Sequence, residues 1–155
     1  MTNKILLSTL VASSLLLSTG AIAADATGTA NFNLVYPLTV TETTAMEFGD
    51  VSIAANASCA VDFAGATTGS ACVAGGATSA AGAFTVSGAN GLVNVSVSGA
   101  DTSIPGVEFT PSVANASETI AGNTASINVA GNLAITAANA TAGTHALSYT
   151  LSVTY

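Results

Sequence analysis

The 155 residues contain one Lys or Arg against eight Asp and Glu, a formal charge of −7, and half of them are hydrophobic. The single basic residue is Lys4, so the rest of the chain is acidic or neutral. That excludes nucleic-acid binding through clustered Lys and Arg, and attachment to anionic lipid by the same means. Low charge with recurring Val, Ile and Thr favours a folded β protein over a disordered chain.

Read from its start, the chain opens with Lys4, an apolar run from Ile5 to Leu17 diluted by Ser and Thr, and the small-residue site Ala21-Ile22-Ala23. These are the three parts of a secretory signal peptide, expected over 1–23 with cleavage after Ala23. The apolar run is too short for a membrane anchor. The remainder, Ala24 to Tyr155, has the length of one domain.

From Asp25 to Tyr36 a strand is expected, with Ala26, Gly28, Ala30, Phe32, Leu34 and Tyr36 on one face and Thr27, Thr29, Asn31 and Asn33 on the other. Pro37 interrupts it, and Leu38–Thr43 is the first strand of the body, reached through an X-Pro bend. Short strands come next at Met46–Ile53 and Ser58–Phe63. Ala83–Ser87 runs through Gly88-Ala89-Asn90-Gly91 into Leu92–Ser98, which reads as a β-hairpin. Strands are also expected at Val107–Thr110, Ala125–Val129 and Leu133–Ala137. The last strand is the clearest: Leu147, Tyr149, Leu151, Val153 and Tyr155 alternate with Ser148, Thr150, Ser152 and Thr154.

Alanine is the best helix former, yet here it stands among Gly, Thr, Ser and Asn, and period 2 fits better than 3.6. Turn signals at short, regular intervals point to an all-β fold, a β-sandwich. Cys59 and Cys72 enclose a Gly/Ala/Thr loop in a chain bound for an oxidising compartment, so a disulfide is expected. The alternatives, a metal site or a reactive thiol, lack a second Cys pair, and His145 is the only His.

No nucleophile elbow, zinc-ligand cluster, phosphate-cradling loop or EF-hand spacing is present. Glu42, Glu47 and Asp50 read as solvated carboxylates, and His145 as a surface or strand-edge residue. Tyr36, Tyr149 and Tyr155 read as core or edge aromatics. The expectation is a non-enzyme without metal or cofactor, its function lying in the strands.

A signal peptide, an alternating N-terminal strand, Phe48-Gly49 and a final Gly…Tyr strand together resemble the chaperone–usher pilus subunits. The nearest likeness is to their archaic, spore-coat-protein-U-like branch and a neighbouring family of small Gram-negative secreted β proteins. The resemblance implies an incomplete immunoglobulin-like sandwich over 37–155, completed by a donor strand from the next subunit. Carried across, the extension 24–36 is the donor, with Ala26, Gly28, Ala30, Phe32 and Leu34 entering successive pockets. Gly28 would sit where only a residue without a side chain fits.

Leu147, Tyr149, Leu151, Val153 and Tyr155 would pair with a periplasmic chaperone before assembly. The implied partners are the chain itself, that chaperone and an outer-membrane usher. The implied location is a fimbria on the cell surface, reached through the periplasm, with a part in adhesion or biofilm. Tyr stands last here rather than next to last, and Cys59–Cys72 does not match the common pilin disulfide. The alternative is a free-standing secreted sandwich, an adhesin, matrix or coat protein whose N-terminal strand pairs within its own chain.

Overall fold

The computed structural model describes residues 24–34 and 36–155. The signal peptide read over 1–23, and Val35 within the extension, lie outside the described residues. The chain divides into two units, Met1–Asn33 and Leu34–Tyr155. In the first, the described residues form no strand and are exposed.

The second unit is an all-β sandwich of antiparallel strands: β1 (Thr39–Thr44), β2 (Ala57–Val61), β3 (Thr67–Thr68), β4 (Gly82–Ser87), β5 (Gly91–Ser98), β6 (Val107–Val113), β7 (Ser117–Ile120), β8 (Thr124–Ile135) and β9 (Thr150–Thr154). One sheet runs β1-β4-β8-β2-β3, with β6 also paired to β8; the other runs β7-β5-β9.

β8 organises the larger sheet. Its first half pairs with β4 from Thr124 to Val129, and its second half with β2 from Gly131 to Ile135. β6 pairs from Val129 to Ile135. Val129 faces both Gly82 and Val113, so β6 occupies the edge opposite β4. Two strands were expected here, at Ala125–Val129 and Leu133–Ala137, but the ladder continues through Gly131. That position has no room for a side chain: a Cβ would meet Met46 Sδ at 2.7 Å, Phe109 at 2.7 Å and Phe48 at 3.0 Å. Glycine here admits the rings above it rather than breaking the strand.

The expected hairpin of Ala83–Ser87 and Leu92–Ser98 is corrected. Both strands exist, but β4 belongs to the larger sheet and β5 to the smaller. Both edges of β4 are taken, by β1 and β8. The connection is instead a corner between sheets, tied to the β7–β8 turn. Gly88 N donates to the Asn123 carbonyl (3.1 Å), and Asn123 N donates to Asn90 Oδ1 (2.8 Å).

The strand expected at Met46–Ile53 is also corrected. That stretch makes only the isolated bridges Glu47–Ala80 and Val51–Cys72. Gly49, at φ 71°, turns the chain tightly against the Ala77 carbonyl, a conformation that breaks a ladder. Its apolar side chains still pack, because Met46, Phe48, Val51 and Ile53 all lie on the core.

There are two core clusters. One joins Cys59, Ala71, Phe109, Leu133 and Ile135. The other joins Val86 and Ile127 of the larger sheet to Val93, Val95 and Ile120 of the smaller, which is what packs the two layers together. The disulfide Cys59–Cys72 is formed, with Cα atoms 4.9 Å apart, and Cys59 is wholly buried.

Candidate functional site

Along β9, Thr150, Ser152 and Thr154 alternate with Leu151 and Val153; along β1, Thr39 and Thr41 alternate with Val40 and Glu42, and each strand lies at one edge of its sheet. Among the described residues, β1 pairs only with β4 and β9 only with β5, so each presents a free edge and no backbone pairing joins them. The gap between these two edges, which share no ladder and are bridged by side chains, is the seam.

The seam's inner lining follows from register. Residues directly opposite in an antiparallel pair share a face. Val40 lies opposite Val86 and Glu42 opposite Phe84, so Val40 and Glu42 are on the inner side of β1. On β9, half-buried Leu151 and Val153 alternate with exposed Thr150, Ser152 and Thr154 and pack on the second core cluster. A paired, fully covered strand would bury such residues; here every residue of β1 is exposed, Val40 by 38%.

Side chains bridge the seam at both ends. At one end, the Tyr155 phenol accepts from Ala89 N (2.7 Å) and donates to the Tyr36 carbonyl (3.2 Å). Leu38 and Ile120 crowd the same spot, where a Cβ on Gly88 would meet both, with the Tyr155 oxygen 2.5 Å away. At the other end, the Tyr149 ring packs edge-on to Phe84 and tilted against Phe109, each with centroids 5.9 Å apart. Its hydroxyl is buried over Gly82 with no hydrogen-bond partner. Burial, and secondarily the charge of Glu42, push the Tyr149 phenol above its ordinary pKa.

The five residues expected to line the last strand are divided by the structure. Leu147 and Tyr149 precede β9 and pack on the first cluster; Leu151 and Val153 pack on the second; Tyr155 forms the bridge to Tyr36. The ladder begins only at Thr150 because β5 ends at Ser98, beside Gly99 at φ 101°. Asp101 holds the incoming chain there: its Oδ1 accepts from Ser103 N (2.8 Å) and its Oδ2 from Ser148 N (3.2 Å). The Ser103 hydrogen bonds, and then that from Ser148, hold its carboxyl below the usual aspartate range.

Of the expected donor residues, Ala26, Gly28, Ala30, Phe32 and Leu34 are all exposed, Phe32 by 80% and Leu34 by 86%. A Cβ at Gly28 would meet nothing within 4 Å. His145 Nε2 donates to the Thr141 carbonyl at 3.0 Å. Among the described residues, no group of three His, Cys, Asp or Glu could hold a metal ion.

Leu38, Val40, Glu42, Phe84 and Val86 were not expected to share a site. The signal for the first three was the alternation after Pro37, in which Glu42 stands where an apolar residue would continue the pattern. No family model, curated protein or solved structure matches this chain.

Proposed function

We propose that this chain is a structural subunit of a surface fimbria whose open seam accepts the N-terminal extension of another copy as a missing strand. The observation that carries the reading is the pair of free edges, β1 and β9, flanking Val40, Leu151 and Val153, with an alternating apolar segment whose described residues form no strand. An immunoglobulin-type sandwich has seven strands in two sheets, four against three. Here β1-β4-β8-β6 lie against β7-β5-β9, and β9, the last strand, stands at a sheet edge to which a further strand could be added.

Adding a strand supplies partners for a row of free N–H and C=O groups and covers the half-buried side chains between the sheets. Strand direction fixes the placement of an added strand that runs antiparallel to β9. Ala26, Gly28 and Ala30 then approach the crowded end at Tyr155, Leu38 and Gly88, while Phe32 and Leu34 reach the end beside Phe84. The partners of this reading are other copies, with a periplasmic chaperone and an outer-membrane usher handling the unfilled subunit, and the role is in adhesion or biofilm.

The test uses the full chain after Ala23. Sedimentation and electron microscopy should show linear polymers, and Leu34→Asp should abolish them, since burying an unpaired carboxylate costs several kcal/mol. Leu34 is exposed, so the circular dichroism of the sandwich should be unchanged. A native chain that stays monomeric, or a variant that polymerises equally well, would leave the free-standing secreted sandwich as the better reading.

A further inference from the structure

The lining of the seam contains one group that an apolar strand cannot satisfy. Glu42 lies on the inner side of β1, directly opposite Phe84, whose ring packs on Tyr149. Its carboxylate is solvated because the seam is open. Filling the seam would cover it. Of the groups facing it, the Phe84 ring of β4 cannot pair with a negative charge. The Tyr149 phenol on the approach to β9 is a donor that Glu42 helps to keep protonated, but it makes no hydrogen bond to the carboxylate. The residue after next beyond β1 is apolar Met46, followed by another carboxylate, Glu47.

The extension 24–36 adds nothing better. Its inward residues are apolar, and its one charged residue is Asp25. After Lys4 the sequence holds no Lys or Arg with which to form an ion pair. A carboxylate covered without a partner takes up a proton in preference to remaining charged.

We infer that Glu42 makes strand acceptance proton-linked, so that the seam closes over an apolar strand when Glu42 is neutral and resists it when Glu42 is charged. This rests on the strand-accepting reading above. The sign follows from linkage: the filled state binds one more proton than the open state, so filling is favoured as pH falls. A strand bearing a Lys or Arg beside Glu42 would escape this dependence, which makes the residue a selector of occupant as well.

The experiment tracks polymerisation of the full chain after Ala23 by light scattering between about pH 7 and about pH 5, the range over which an ordinary glutamate begins to protonate. The native chain should gain about tenfold in association constant towards acid, the equivalent of one pKa unit of linkage. Glu42→Gln should associate at neutral pH as the native chain does in acid, with a flat profile, and Glu42→Leu should behave likewise. Glu108→Gln controls for general loss of negative charge, because Glu108 lies exposed on β6 away from the seam, and it should keep the native profile. A Glu42→Gln chain that retains the native pH profile would overturn the inference while leaving strand acceptance intact. Chains that fail to polymerise at any pH, native and variant alike, would overturn strand acceptance itself.

Discussion

Replacing Tyr149 by Phe should stabilise this protein, although the ring sits in a packed aromatic cluster. The phenol oxygen is buried without a hydrogen-bond partner, and an unmatched polar group of this kind costs about 1–3 kcal/mol. Phe keeps the contacts with Phe84 and Phe109, so only the penalty is removed. Taking the lower end, the gain is about 1 kcal/mol, or about 3–5 °C in Tm for a domain of this size. Urea titration should show a higher midpoint at unchanged slope.

A linked test uses Gly82, where an added Cβ would collide with the same oxygen. Gly82→Ala should cost about 1–3 kcal/mol alone and less beside Tyr149→Phe, a coupling of at least about 0.5 kcal/mol. The pH dependence has a defined sign. A phenol whose pKa is raised by folding contributes stability below the unfolded tyrosine value of about 10, which is lost as pH climbs beyond it. Alkaline destabilisation should therefore be weaker in Tyr149→Phe. A variant less stable than the native protein by about 1 kcal/mol or more would mean that the hydroxyl is bonded in solution, contrary to this reasoning.

Reducing Cys59–Cys72 should cost about 3 kcal/mol, read from denaturation midpoints with and without reductant. Gly131→Val should destabilise by about 1–3 kcal/mol or more, because Met46, Phe48 and Phe109 converge on that position; thermal melts would show it. Asp101→Asn should blunt the acid sensitivity of unfolding. The native carboxylate is held below its usual pKa, so its contribution is present above the ordinary aspartate range and is lost as pH falls through the depressed value.

Much of the fold was legible because alternation reports a half-buried strand directly. β1, β4, β5 and β9 were located within a few residues, and the Cys59–Cys72 loop needed only its compartment. What period 2 cannot report is which strand lies beside which. Ala83–Ser87 and Leu92–Ser98 looked like a hairpin since they are consecutive, whereas β4 spends both edges on strands distant in sequence. β7 escaped because Ser117-Glu118-Thr119-Ile120 holds a single apolar residue, and β3 because two residues give no pattern. Met46–Ile53 has the composition of a strand and the burial of one, but Gly49 bends it out of any ladder. The seam was half visible: Leu151 and Val153 stood out by alternation, while Val40 and Glu42 acquired their place only through pairing with Val86 and Phe84. Tyr155 gave no sign that its phenol reaches Tyr36.

The central position of β8 constrains how the protein can be made. Strands β2, β4 and β6 all hydrogen-bond to it, and both core clusters draw residues from it, yet it spans Thr124–Ile135, late in the chain. A polypeptide emerging N-terminus first therefore exposes several apolar strands before their shared partner exists. Pairings this distant in sequence form slowly, and unpaired edges are the surfaces through which chains aggregate. The wait for β8 is the interval in which a nascent chain needs shelter, and it ends when some twelve residues arrive together.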